Sequence, residues 1–436
     1  MRKVDILGVS VNTVSKKKAL EKFKSFLSNE QKNYIVTPNP EIVLKAQKNF
    51  SFKEVLNKSS LAIPDGTGLK WAASFLADTY PKRNRKYLNI LFVFLDWVLS
   101  AFRFVLSKKY RNRVIKERVT GADMFWDSVK ICEQKKCSLY LLGARDGIAQ
   151  KVAKKIKKKY PNFRIAGTYS GSPHHSSDEK MRYLINDSKA DVLLVAYGAP
   201  LQEFWIQRNV EHLHTIKCAM AVGGTFDFIA GKTTRAPKKY QQRNIEWLWR
   251  LRNEPQRAKR IWNAVVKFPY YVFLEKIQQK RPYRKNVIAV IINKNKQFLL
   301  LNRINYYQKD TYANHWQFLQ GGKRIYESDE EAVLREAKEE MGSSKLEIID
   351  KADKVYTYDW PITGFRIKRP YRGQRQTIWF LKYTGDNSDI NVNPKEHSEY
   401  KWISKNDILT TIHPIRHGSA KIILDTMDKK KILNRL

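Results

Sequence analysis

Residues Gly321–Gly342 read GGKRIYESDEEAVLREAKEEMG. The end of this stretch, from Arg335, is rich in good helix formers, holds no internal Gly or Pro, and stops at Gly342, so it predicts a helix. On a helix Glu336, Glu339 and Glu340 fall at i, i+3 and i+4 and place three carboxylates on one face. Glu-rich faces are often simply solvated. Here a Gly-Gly pair lies upstream, and Glu327 and Arg335 stand at fixed spacing before the cluster. Hard divalent ions take oxygen ligands, and magnesium is commonly shared between a few carboxylates and substrate phosphates. The stretch therefore points to a metal-assisted phosphate site.

The flanks extend this reading. Strands are predicted at Val287–Ile292 and Gln297–Leu301, and Trp316–Gly322 runs into the box. Downstream, Tyr371–Gln376 precedes a strand at Thr377–Tyr383, and Glu396 lies shortly before Trp402. The string from Gly321 to Gly342 is similar to the box of the Nudix hydrolases. With Tyr283–Val287, Trp316–Gly322 and Tyr371–Gln376 it resembles the branch that acts on RNA 5′ ends or dinucleoside polyphosphates. That resemblance implies an α/β/α domain with a mixed sheet. It implies Mg2+ on Glu336, Glu339, Glu340 and Glu396, with Glu340 catalytic, and a structural pair of Arg335 with Glu327. Arg372 and Arg375 would hold phosphates, and Trp379 or Tyr371 would stack a base. Leu319, Ala337 and Ser343 depart from the pattern, which bears on substrate choice.

Outward from there, 436 residues allow two or three domains with real cores. The formal charge of +40 calls for polyanionic partners: phosphates, nucleic acid or an anionic membrane surface. A hydrophobic content of 42% excludes general disorder. Cys132, Cys137 and Cys218 have no metal-ligand spacing, and their odd number suits a reducing compartment. Met1–Val11 reads as a first strand, with Val4–Val9 as its body, and not as a signal peptide.

The first half alternates apolar strands with amphipathic helices. Strands are predicted at Tyr34–Val36, Leu61–Ile63, Ser138–Leu142, Phe163–Gly167, Val192–Tyr197 and Cys218–Val222, with helices such as Lys17–Leu27 and Ile148–Lys159 between them. This order predicts a Rossmann-like, mostly parallel sheet covered by helices on both faces, binding its ligand at the carboxyl ends of the strands. The turns at those ends are polar or Gly-rich. They include Thr37-Pro-Asn-Pro-Glu41, Ile63-Pro-Asp-Gly66, Gly198-Ala-Pro-Leu-Gln-Glu203 and Gly223-Gly-Thr-Phe-Asp-Phe228.

Those turns, with Val119–Asp123, Arg235-Ala-Pro237 and the tail Glu246–Arg250 followed by Glu254-Pro255, occur in an order that resembles the WecB/TagA/CpsF glycosyltransferases. The resemblance covers about residues 3–265. It implies transfer of an N-acetylmannosamine-type sugar from a UDP-sugar donor to a polyprenyl-diphosphate-linked acceptor, in teichoic acid or other surface-glycan synthesis, without a metal. By the same resemblance Asp65 is the base, Thr37, Asn39 and Gln202 line the sugar and acceptor cleft, and Asp227 lies near the uridine. Arg235 and the tail arginines Arg250, Arg252, Arg257 and Arg260 are candidates to hold the departing diphosphate.

One segment departs from that family. Between Tyr80 and Arg118 an apolar run, Tyr87–Leu106, is flanked by basic residues. Its length just spans a bilayer. Asn89, Asp96, Ser100 and Arg103 share a narrow face, which suits a helix lying in the membrane interface better than a spanning one. A buried or partner-facing helix is the third option. The aromatic run Phe268–Phe273 is either further membrane contact or the end of the first domain.

The chain thus reads as two domains. Residues 1–277 form a glycosyltransferase carrying a membrane-associating insert at 81–118, and residues 278–436 form a Nudix hydrolase. The expected location is cytoplasmic, on the inner face of the membrane. Two other readings stay open on the sequence: an RNA or nucleotide pyrophosphohydrolase anchored by its first domain, and a transferase with a nucleotide-sensing module.

Overall fold

The computed structural model describes residues 1–78, 86–117, 119–232, 237, 240, 246–279, 281–304, 315–360, 362 and 370–436. The chain divides into two compact units, one built on Met1–Ile277 and the other on Gln278–Pro361 and Phe365–Leu436.

In the first unit β1 (Lys3–Ile6) and β2 (Val9–Asn12) form an antiparallel hairpin. The single strand expected over Val4–Val9 is therefore corrected. Leu7 and Gly8 both take positive φ, 54° and 73°, and turn the chain back after Ile6. That is the two-residue turn whose twist matches paired strands, and Gly8 makes it accessible.

The main sheet is all-parallel, in the order β4 (Leu61–Ala62), β3 (Asn33–Val36), β8 (Cys218–Ala221), β7 (Val192–Ala196), β5 (Leu139–Gly143) and β6 (Ile165–Tyr169). The strands are apolar because both faces are covered. Tyr34, Val36, Leu193 and Val195 pack into one core, while Ile35, Leu61, Leu139 and Leu194 pack into the other. The fold is the expected α/β class.

The apolar run forms one helix, Lys86–Leu106. It touches the rest of its unit along Val93, Trp97, Ser100 and Phe104, which recur at helical spacing. Trp71 donates its indole N–H to Ser100 Oγ at 2.9 Å, and Trp97 donates its own to the Pro269 carbonyl at 3.1 Å. Asp96 pairs with Arg103 at 2.9 Å. The outward arc is apolar: Leu91, Phe92, Phe94, Leu95, Val98, Leu99, Phe102, Val105 and Leu106 are all exposed. Among the described residues no helix is long and apolar enough to cross a membrane.

Phe268–Gln279 is a helix that closes the first unit, with Phe268 and Val272 fully buried. Its Lys276, only 4% exposed, donates Nζ to the carbonyls of Phe75 and Leu76 at 3.1 and 2.6 Å. It thereby satisfies the open end of the helix Thr67–Leu76.

The second unit is a mixed sheet between helices. Its central path runs β11 (Trp316–Gln317), β10 (Phe298–Arg303), β9 (Arg284–Ile292), β15 (Gly373–Tyr383) and β13 (Leu346–Lys351). β12 (Leu319–Gly322) pairs with β9, β14 (Tyr356–Asp359) with β15, and β16 (His397–Ile403) with β10. Among the described residues of this unit only β9 and β15 pair in parallel. The box helix, Asp329–Met341, covers one face through Ala332, Val333, Ala337 and Met341. Ile408, Ala420 and Ile423 cover the other. Trp379 is 4% exposed beneath the box helix, so it belongs to the core and is not the stacking aromatic the sequence suggested.

Candidate functional site

The first unit gathers its polar turns at one edge of the sheet. Thr37 and Asn39 follow β3, Asp65 follows β4, Gln202 follows β7 and Asp227 follows β8, four strands adjacent in the order β4, β3, β8, β7. Asn39 caps the helix Pro40–Ala46 by accepting from Ile42 N at 3.0 Å. The Asp65 N–H donates to the Pro38 carbonyl at 2.7 Å, which fixes the Pro-Asp-Gly turn against the Thr37–Glu41 turn. Gly66 at φ +107° opens the next helix. A Cβ on Gly68 would lie 2.7 Å from Pro40, so only glycine lets the two helix starts come this close.

Asp65 and Asn39 line a cavity of about 1160 Å³. Around them stand Trp71, Trp97, Val98, Phe102, Phe104 and Val105, the last five from the apolar helix. Arg111, Arg257 and Arg260 complete its cationic part. Arg260 is held by Glu41 at 2.7 Å, and Glu41 also meets Lys45 at 3.4 Å. Arg252 is exposed and does not line the cavity. Arg235 lies outside the described residues, as does the side chain of Arg250.

Thr37 and Gln202 sit behind this surface. Thr37 is 8% exposed and donates to the Ala221 carbonyl at 3.4 Å. Gln202 is 2% exposed; its Oε1 accepts from Gly198 N at 3.1 Å and Gly223 N at 3.0 Å. It therefore ties the turn after β7 to the turn after β8. Its amide donates at 2.9 Å to Glu203, a residue the sequence reading passed over. Glu203 is fully buried, and desolvation pushes its carboxyl up to about 7. The available signal was an acid placed directly before the apolar run Phe204-Trp205-Ile206. Asp227 is half-buried in the helix Thr225–Ala230, off the Asp65 cavity.

In the second unit the box helix opens on a capping box. Ser328 accepts from Glu331 N, and Glu331 accepts from Ser328 N. It ends at Gly342 with φ +83°. Arg335 grips Glu327 in a fork at 2.7 and 3.0 Å and also reaches Glu336 at 2.8 Å, Glu339 at 3.0 Å and the Gly322 carbonyl at 3.0 Å. The guanidinium holds the Glu327 carboxyl down at about 2. A Cβ on Gly321 would fall 1.7 Å from the Glu336 carboxyl carbon, so this glycine makes room for that acid.

Glu340 is 5% exposed and accepts from Gln320 N at 3.3 Å. Burial, and then repulsion from Glu336 and Glu396, push its carboxyl up to about 8, while the Arg303 charge opposes this. Burial likewise raises Glu336. Glu336, Glu340 and Glu396 therefore sense one another, whereas Glu339 is half-exposed and turned onto Arg335. Among the described residues no three acids are gathered tightly enough to hold an ion as they stand. A buried carboxyl destabilised by two neighbouring carboxylates is nonetheless a donor set that a hard cation fits. Arg303, at the end of β10, is a cation that the sequence reading missed.

The two arginines assigned to phosphates lie differently. Arg372 forks onto Asp359 at 2.7 and 2.8 Å and stacks over Tyr283. Arg375 is exposed, on the side of β15 that carries Trp379.

Comparison with known proteins agrees with the architecture. The family model "Glycosyl transferase WecG/TagA/CpsF family" matches residues 4–96 and 98–282, and the NUDIX domain model matches residues 282–425. An N-acetylglucosaminyldiphosphoundecaprenol N-acetyl-beta-D-mannosaminyltransferase of Staphylococcus aureus strain MRSA252 is 27% identical over 64% of this chain and 95% of its own. The enzyme of the same name from Bacillus subtilis strain 168 is 28% identical over 60% and 90%. Among solved structures, a MutT protein of Methanosarcina mazei Go1 is 24% identical, covers 35% of this chain and 97% of its own, and has a TM-score of 0.27. The chain belongs to the WecG/TagA/CpsF family of glycosyl transferases and carries a NUDIX hydrolase domain after it.

Proposed function

We propose that the first unit transfers an N-acetylmannosamine-type sugar from a UDP-sugar to a polyprenyl-diphosphate-linked acceptor. The observation that carries this reading is the single cavity that joins Asp65 and Asn39 to three arginines and an apolar wall. Asp65 takes the proton of the acceptor hydroxyl as its oxygen attacks the anomeric carbon, and UDP leaves from the opposite face. Asn39 orients the sugar from its cap position. Thr37 and Gln202 hold the turns that carry the site, Asp227 serves the uridine side, and Arg235 joins the cations for the departing diphosphate. Charge growing on the departing diphosphate meets the helix starts at Pro40 and Thr67 and the tail arginines.

The outward arc of the Lys86–Leu106 helix supports attachment to the cytoplasmic face of a membrane. Water-facing helices turn apolar residues inward, whereas this one packs Ser100 inward and leaves nine apolar side chains outside. Lys108 and Lys109 follow directly and suit anionic headgroups.

The second unit is read as a magnesium-dependent pyrophosphohydrolase of nucleoside polyphosphates or RNA 5′ ends. Glu336, Glu340 and Glu396, with Glu339 once released from Arg335, would hold the ion. Magnesium there would draw charge from the bridging oxygens and orient a water. Arg335 and Glu327 keep the box loop folded against the helix, and Arg303 and Arg375 would meet phosphates. The test is direct: the purified chain is given UDP-N-acetylmannosamine with a lipid-linked N-acetylglucosaminyl diphosphate, and separately triphosphorylated RNA and dinucleoside polyphosphates. Formation of the disaccharide lipid and release of phosphate or pyrophosphate support the two readings. Failure of either product removes the corresponding half.

A further inference from the structure

We infer that the Lys86–Leu106 helix does more than rest on the membrane: it supplies a slot for the hydrocarbon tail of the acceptor, opening sideways from the lipid face into the Asp65 cavity. This rests on the proposed lipid-linked acceptor. Three residues belong to both surfaces. Val98, Phe102 and Val105 line the cavity and are also 36%, 60% and 70% exposed on the outward arc. They lie along about 10 Å of helix at the standard rise. Ile261, Ala264 and Val265 also line the cavity, and Trp262, next in sequence to Ile261, is exposed.

The lining combines three chemistries: the Asp65 carboxylate and the Asn39 amide, the cations Arg257 and Arg260, and an apolar wall. A polyprenyl diphosphate sugar carries three to match: hydroxyls, two phosphates and hydrocarbon. At about 1160 Å³ the space exceeds the ~300–1,000 Å³ that ordinarily encloses a small ligand, so a sugar and a diphosphate leave room for the start of a chain. The indole N–H groups of Trp71 and Trp97 bond to Ser100 and to the Pro269 carbonyl, which leaves their rings as apolar lining. A tail entering past Val98, Phe102 and Val105 need not leave the lipid phase to bring its head group to Asp65.

Isothermal titration of the full chain with farnesyl diphosphate and with inorganic diphosphate, free of vesicles, tests this. Farnesyl diphosphate should bind at least tenfold more tightly. A Val98→Asn, Phe102→Gln variant, altered only at exposed positions, should lose most of that gap while keeping its affinity for inorganic diphosphate. A Leu91→Gln, Leu95→Gln variant, on the same arc but off the cavity, should keep the gap. Equal affinity for the two probes, or equal loss in both variants, would overturn the slot. The transfer assay separates this from the reading beneath it. Transfer to tail-less and tailed acceptors with the same KM sinks the slot alone, and no transfer to either sinks the proposed acceptor.

Discussion

Replacing Glu203 by Gln tests how the buried half of the transferase site is built. Glu203 is fully buried; Gln202 donates to its Oε1, and its Oε2 meets no partner among the described residues. Desolvation lifts its carboxyl from 4.5 to about 7. An unfolded chain would release this proton near 4.5, whereas the folded chain keeps it to about 7. Stability from this group is therefore fully present below about pH 4.5, drains away as the pH rises, and is gone above about 7. A gap of 2.5 pH units corresponds to about 3 kcal/mol. Gln keeps the acceptor oxygen and carries no charge. Glu203→Gln should then be more stable than the parent at pH 8 by up to about 3 kcal/mol, or roughly 6–10 °C in the transition of a unit this size. The two proteins should melt together near pH 4.5. Differential scanning calorimetry across pH 4.5–8.5 reads this. A variant that is less stable at pH 8, or a difference that does not change with pH, would refute the reasoning.

Two further outcomes are expected. Gly321→Ala pushes a methyl group onto the Glu336 carboxyl; because that carboxyl ends a flexible side chain, hydrolysis should fall at least about tenfold with under ~1 kcal/mol change in stability. Normal hydrolysis by this variant would remove Glu336 from the site. Leu95→Glu with Leu99→Glu should weaken co-sedimentation with anionic vesicles while leaving the melting profile in place, since both side chains are exposed. High salt should release the parent in part, and vesicle binding unchanged in the variant would move the attachment elsewhere.

The parallel sheet was legible because its strands are buried on both faces and read as unbroken apolar runs such as Val192–Ala196. The box helix was legible from its spacing, though its start at Asp329 and its Ser328 cap lie upstream of the part that was read. What escaped depended on direction. Asp96, Ser100 and Arg103 share a face in any helix, but only the fold shows that face turned toward Trp71 and the unit's interior. Trp379 has a sequence neighbourhood like that of a stacking aromatic, and the sheet register puts it beneath the box helix. The ion pair of Arg372 with Asp359 could not be read from the sequence, because the two meet only once β14 and β15 are paired. Glu203 escaped because burial, and not residue type, makes its carboxyl unusual.

The central claim is that one chain carries two separable chemistries, and a paired assay of two variants tests it most directly. Asp65→Asn removes the proposed base, and Glu340→Gln removes one charge from the acid cluster; each is assayed for sugar transfer and for hydrolysis of a 5′-triphosphate or dinucleoside polyphosphate, with and without EDTA. The account predicts that Asp65→Asn abolishes transfer and leaves hydrolysis within about threefold, and that Glu340→Gln and EDTA each cut hydrolysis by orders of magnitude while transfer persists. Transfer surviving in Asp65→Asn, or EDTA stopping transfer while sparing hydrolysis, would contradict it.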